Sequence, residues 1–339
     1  MSVANPEAVV ERLVGFQREV RDLVMRSRTQ SRHEVSRSSA ADTIYGIDTE
    51  VDPLLEAFCE RWAEEDGPLV LVAEGLEDAN GREVESRVFP HDANENDAKL
   101  RLLVDPIDGT RGIMYDKRAA WALAGVAPNN GAGTRLRDID VAVMTELPTS
   151  KMGHADVLSA IRGRGAVGRR VDLRDGRETP LALTPSAAEG IAHGFAMVSN
   201  FFPGTKVLSS ELMELIAATL IGPADVTRAT VFDDQYISTG GQWYELIVGH
   251  DRFNADLRPA FYRIQRQSAG LCCHPYDCAT ALIAEEAGVI LTDECGHPLD
   301  GPLDTTTGLS WIGYANNELR RQIEPLVLQF LKERSPGGD

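Results

Sequence analysis

The sequence predicts an α/β fold, and three observations carry that prediction. The apolar runs Pro68–Ala73 and Leu100–Val104 have the length and composition of buried strands. Each runs directly into acid, Glu74-Gly75 after the first and Asp105 after the second. Ala279–Gly288 reads as a helix with Asp277 near its start and a glycine at its end. Acidic residues at element ends are where α/β folds build sites.

In chain order, Val9, Leu13, Phe16, Val20, Leu23 and Val24 mark one stripe of an amphipathic helix. Its flanking charges (Glu7, Glu11, Arg12) leave no apolar stretch of the kind a secretion signal needs. The two strand candidates follow. Ile191–Asn200 and Val226–Gly249 read as strand and turn material of a second half. Within it, Ser238-Thr239-Gly240-Gly241 forms a glycine-rich turn entering a helix at Trp243–Ile247. The tail Ser335–Asp339 has the composition of a disordered segment. The expected division is an N-terminal half over 1–190, a C-terminal half over 191–334 and the tail 335–339.

Bulk properties exclude several classes. A length of 339 residues with 43% hydrophobic content supplies a substantial core. No run of about 18 apolar residues is present, so no membrane span is expected. A net charge of −18 disfavours nucleic-acid polymers and anionic membranes as partners. The five cysteines are odd in number and lack a secreted framework's spacing, which fits a reducing cytoplasm. Cys272, Cys273, His274 and Cys278 invite a zinc site, but adjacent residues cannot easily wrap one tetrahedral ion; they are expected to be buried small hydrophobes near Asp277, with His274 in a hydrogen-bonded packing role. There is no Gly-x-Ser-x-Gly elbow.

The most informative segment is Asp105-Pro106-Ile107-Asp108-Gly109-Thr110. Two carboxylates three residues apart beside a turn rich in N–H groups suit magnesium and phosphate bound together. The same residues also compose an Asp-Pro turn followed by an Asp-Gly turn, which any surface loop can contain. Phosphate monoesters hydrolyse very slowly unaided, and two cations a few ångströms apart can stabilise the reacting oxygens. One carboxylate must then bridge them, and Asp105 lies centrally for that role. An all-oxygen ligand set selects magnesium or manganese over zinc.

Together with Glu74-Gly75, the hexapeptide, and Tyr276-Asp277 followed by an alanine-rich helix and Glu286-Ala287-Gly288, the chain resembles the inositol monophosphatase family of lithium-sensitive, magnesium-dependent phosphatases, to which fructose-1,6-bisphosphatase is related. The resemblance runs from about Val9 to Asn316. Ile47-Asp48 resembles the family's Thr-x-x-Asp element before a helix, Gly163–Ala166 its Gly-x-Gly-Ala turn, and Asp293–Leu299 its Asp-x-x-Gly-x-Pro-Leu strand ending. The resemblance implies a layered αβαβα sandwich with the site where the halves meet, and a homodimer. It implies Glu74, Asp105 and the Ile107 carbonyl around one ion, Asp105, Asp108 and Asp277 around a second, and a weaker third ion near Glu74. Glu74 and Thr110 would activate the water, with Asp48 supporting Thr110. Asp108, Gly109, Thr110, Gly240 and Gly241 would meet the substrate, Gly109 because a side chain there would obstruct the phosphate.

Departures bear on the substrate. Arg111 stands where a second threonine is common, Tyr276 replaces a tryptophan, Arg266–Tyr276 contains no acid to hold a sugar hydroxyl, and Asp251–Gln267 looks inserted. The expected activity is hydrolysis of a small sugar or polyol phosphate, with inositol monophosphate the default. The alternatives are fructose-1,6-bisphosphate, a nucleotide 3′,5′-bisphosphate, histidinol phosphate, or a non-enzymatic metal-binding role. Arg111, Arg258, Arg263 and Arg266 could grip a second anion, or merely offset acidic surface.

Overall fold

The computed structural model describes residues 2–27, 35–38, 43–78, 82, 84–225, 227–268 and 270–335, with backbone alone at 35–38 and 43–49. The expected tail is thus described only at Ser335, which ends the last helix; 336–339 lie outside the described residues.

The chain opens with α1 (Pro6–Arg26), a two-stranded ribbon of β1 (Val35–Ser38) and β2 (Thr43–Tyr45), and α2 (Gly46–Asp66). The α1 stripe is buried at Val9, Leu13, Phe16, Val20 and Val24, and half-buried at Leu23, as its spacing requires. Next come β3 (Leu69–Ala73), β4 (Ser86–Phe89), β5 (Leu100–Asp108), the short α3 (Thr110–Met114), β6 (Ala120–Pro128), β7 (Val141–Leu147), β8 (His154–Ile161), β9 (Ala166–Asp172) and β10 (Glu178–Leu181). These strands form an eight-stranded sheet in the order β10-β9-β8-β7-β6-β5-β3-β4. Only the β3–β5 pair is parallel, so the two acid-bearing strand ends emerge side by side.

The second half contains β11 (Phe195–Val198), α4 (Lys206–Leu220), α5 (Thr239–Ile247), β12 (Asp251–Asp256), α6 (Arg258–Ile264), α7 (Ala281–Glu286), β13 (Ile290–Thr292), β14 (Trp311–Tyr314) and α8 (Asn317–Arg334). Its sheet runs β11-β12-β14-β13. Asp251–Gln267 is therefore no insertion: β12 is an interior strand of this sheet. Its polar residues conceal it: Asp251, Asn254 and Asp256 are buried, Asn254 donating to Asp251 at 2.8 Å and Arg258 to Asp256.

The layers are α1 and α2, the large sheet, α5 and α7, the small sheet, then α4, α6 and α8: an αβαβα sandwich. α5 touches β5 and β6 on one side and β12 and β14 on the other, which explains why nearly every residue of it is buried. One apolar cluster fills both faces of this inner layer, joining Val72, Leu123 and Met144 to Trp243, Phe253 and Trp311. A second lies between α1, α2 and the outer face of the large sheet. Among the described residues, no helix is long and apolar enough to cross a membrane.

Candidate metal centre and pocket

β5 delivers the hexapeptide, and it continues as strand through Asp108 instead of stopping at Val104. Pairing with β6 slips between Asp105 (opposite Leu123) and Asp108 (opposite Trp121). Pro106 has no N–H for the ladder, and the Ile107 amide turns back to Asp105 Oδ1 at 3.0 Å. In a regular strand, residues three apart point to opposite faces; this irregularity brings both carboxylates to one side. Gly109 then takes φ +97°, the left-handed conformation that starts α3. A Cβ there would lie 3.1 Å from Ser238 Cβ and 3.2 Å from the Ile237 carbonyl. Backbone conformation and close packing both require the glycine, which also lines the pocket.

Asp277 arrives from the inner layer, in a 3₁₀ turn over Pro275–Cys278 that precedes α7. Its Oδ2 accepts the His274 amide at 2.6 Å. This turn presses against β6 at Gly125, where a Cβ would stand 2.5 Å from the Ala279 carbonyl. Asp105, Asp108 and Asp277 consequently bring one carboxylate oxygen each within 4.8 Å of one another. Glu74, at the end of β3, lines the same pocket without joining that tight group.

The electrostatics suit a bound positive charge. Burial, then the charges of Asp108, Asp277 and Glu74, push the Asp105 carboxyl well above its ordinary range. Burial and Asp108 do the same to Asp277. Asp108 is pushed up to about 6 by burial, although the Gly240 amide, the Ser238 hydroxyl and the Thr239 amide all favour its ionised form. Among the described residues no salt bridge reaches any of the three. Converging oxygens without a basic partner fit a hard divalent cation.

The other expected site residues divide. The Thr110 hydroxyl donates to the Ile107 carbonyl at 2.8 Å, and Thr110 lines the pocket. Asp48 lies in the first turn of α2, inside the helix and not before it, and its side chain is outside the described set. Asp52, one turn further on, lines the pocket. Gly240 and Gly241 do not line it. Gly240 donates to Asp108 Oδ2 at 2.6 Å, and a Cβ there would meet Leu123 at 2.6 Å; one at Gly241 would meet the Tyr236 ring at 2.4 Å. They are packing glycines behind Asp108, while Ser238 and Thr239 form the pocket wall.

Of the arginines, Arg111 and Arg258 line the pocket, but Arg263 pairs with Glu294 at the surface and Arg266 is absent from the lining. Arg258 is buried and bound to Asp256 at 2.5 Å. Phe201 and Phe202, which the sequence does not single out, complete one side. Cys272, Cys273 and Cys278 are buried free thiols, with Cys273 and Cys278 Sγ 3.4 Å apart, and His274 hydrogen-bonds the Thr307 carbonyl at 3.1 Å in a packing position. Away from the pocket, the Gly163 and Gly165 amides donate to the two Glu286 oxygens at 2.6 and 2.7 Å, joining two motifs that the sequence treats separately.

The same architecture occurs in solved structures. The chain superposes on extragenic suppressor protein SuhB from Bartonella henselae with a TM-score of 0.63 at 16% identity, covering 94% of this chain and 98% of that one. The Thermotoga maritima IMPase gives 0.63 at 14% identity, over 97% and 100% of the chains. The fold is that of the inositol monophosphatases and fructose-1,6-bisphosphatases. Leishmania major fructose-1,6-bisphosphatase adds a TM-score of 0.64 at 12% identity, over 97% and 99%. No family model and no curated protein matches the sequence. Within the inositol monophosphatase fold, the acids of this chain gather where the large sheet meets the inner helical layer.

Proposed function

We propose that the protein is a magnesium-dependent phosphomonoesterase. The observation that carries this reading is the convergence of Asp105, Asp108 and Asp277 within 4.8 Å, in a pocket shared with Glu74 and Thr110. Asp105, Asp108 and Asp277, with Glu74 and the Ile107 carbonyl on the same pocket, would hold the ions, two or three in number, with manganese able to replace magnesium. The bound ions supply charge stabilisation at the phosphoryl group and raise the acidity of water.

The protein's own groups orient the reaction. Glu74 accepts the proton of the attacking water, and Thr110, fixed by its bond to the Ile107 carbonyl, directs a lone pair toward it. Gly109 and Thr110 line the pocket and would border the phosphate there. Asp48 supports Thr110 in this scheme.

Hydrolysis of para-nitrophenyl phosphate by the full chain tests the reading. Magnesium is expected to activate, calcium to bind without supporting fast turnover, and chelation to abolish the reaction. Thr110→Ala is expected to lower turnover by about 10²–10⁴-fold with cation affinity nearly intact. Full activity after exhaustive chelation overturns the mechanism.

A further inference from the structure

We infer that the pocket selects a phosphate ester whose alcohol carries a planar aromatic or heteroaromatic ring, seated against Phe201 and Phe202. This inference rests on the phosphomonoesterase reading and names its substrate class. Both rings are half-buried and line the pocket that holds the acids. Their centroids are 4.9 Å apart with planes at 88°, so the pair offers edge and face contacts at once.

Two guanidinium groups hold this pair. The Arg258 carbon lies 4.8 Å from the Phe201 centroid and 5.3 Å from that of Phe202, and the Arg111 carbon lies 5.2 Å from Phe202. Arg258 is not an anion receptor here: its charge is met by both Asp256 oxygens, and Nη1 donates to the Leu271 carbonyl at 3.1 Å. It positions the rings.

Apart from the acids, Thr110, Arg111, Arg258 and Tyr276, the polar side chains of the wall are Ser238 and Thr239, and both are already engaged. The Ser238 hydroxyl donates to Asp108 at 2.9 Å, and that of Thr239 faces Cys273 Sγ at 3.7 Å. Ile237, Leu271 and Cys272 add apolar surface. A polyol would surrender water from several hydroxyls against this wall without full replacement, whereas an aromatic ring loses little and gains contact.

Three esters of unactivated alcohols separate the possibilities: benzyl phosphate, cyclohexylmethyl phosphate and inositol 1-phosphate, each with the full chain and magnesium. The expected order of kcat/KM is benzyl first, exceeding cyclohexylmethyl by about 3- to 10-fold, the worth of a specific aromatic pair beyond its area, with inositol 1-phosphate last. Phe202→Leu and Phe201→Leu keep the wall apolar and should collapse the benzyl-to-cyclohexylmethyl ratio toward one, through the KM for benzyl phosphate. A preference for inositol 1-phosphate, or equal losses on both ring esters, overturns the inference. If no ester is hydrolysed, the phosphatase reading falls, and calorimetric titration with benzyl phosphonate judges the wall. Binding weakened by Phe202→Leu upholds it; binding absent or unaltered overturns it.

Discussion

Ser238 donates its hydroxyl to Asp108 Oδ2 at 2.9 Å, and the same oxygen of Ser238 accepts the Gly241 amide at 2.8 Å. The residue thus caps α5 and orients a candidate ligand on β5 with one atom. Supporting hydrogen bonds of this kind hold a ligand's geometry. Ser238→Ala is expected to weaken magnesium binding by about 10- to 100-fold, measured by calorimetry and by the magnesium dependence of activity. An unchanged magnesium requirement would show that Asp108 needs no such orientation.

Gly240→Ala separates a packing role from a substrate contact. The added methyl meets Leu123 at 2.6 Å and Asp108 Oδ2 at 3.1 Å. Overpacking of this sort costs about 1–3 kcal/mol, read by chemical denaturation, and cation affinity should fall with it. Substrate KM at saturating magnesium is expected to stay the same; a selective rise in KM would return Gly240 to the substrate pocket.

The acid cluster makes the metal-free protein pH-sensitive in a defined direction. Folded Asp108 titrates near 6, and Asp105 and Asp277 are raised as well, so between about pH 4, the ordinary aspartate value, and the folded values the native state binds more protons than the unfolded state. Stability therefore falls as pH rises through this window. Glu146 (about 8) and Asp251 (about 6), both raised chiefly by burial, act with the same sign. In chelator, Tm is expected to decline from pH 5 to 8; saturating magnesium should offset the part due to the site at the alkaline end. A Tm that climbs with pH in chelator contradicts this electrostatic account.

Asp105→Asn tests the cost of that convergence. It removes one of several mutually repelling carboxyl groups. Without cation, Tm should increase by about 2 °C or more, the shift that roughly 1 kcal/mol produces in a larger domain, while magnesium-stimulated hydrolysis disappears. Loss of stability in chelator would mean that the Asp105–Ile107 turn outweighs the repulsion.

How much of this was legible depended on whether the signal was local. Leu100–Val104 leading into Asp105 and Asp108 is contiguous, so a buried strand ending in acid could be read directly, and the α1 stripe is likewise periodic within one helix. β12 is hidden in the sequence because its polar Asp251, Asn254 and Asp256 are buried in the sheet, where Asn254 donates to Asp251 and to the distant Gln242 carbonyl and Arg258 pairs with Asp256. Phe201, Phe202 and Ser238 carry no chemical signature alone; the loop after β11 and the start of α5, which packs on β5, bring them beside the acids. The glycines at 240 and 241 were recognised as a helix entrance, but their neighbours Leu123 and Tyr236 come from distant chain positions.

Glu286 supplies a prediction independent of catalysis. Its carboxylate accepts the amides of Gly163 and Gly165, both at positive φ, and so anchors the β8–β9 turn to the end of α7. Glu286→Gln leaves one acceptor oxygen and no charge, and is expected to destabilise the fold by about 1–3 kcal/mol with kcat/KM unaltered. Equal denaturation midpoints for the two proteins would reduce the contact to an incidental one.

Asp105 and Asp108 end a strand of the large sheet, whereas Asp277 sits on the turn feeding the inner helices. An ion held by all three would fasten two layers that also meet through apolar side chains and through the hydrogen bonds of Ser238 and Gly240 to Asp108. Prying those layers apart empties the ion's seat, and filling the seat holds them closed, so affinity and mechanical cohesion at this seam are one free energy read from two directions. If the site binds a cation as proposed, the cation supply around the protein would bias how tightly the inner helices stay on the sheet, at the seam that carries the pocket.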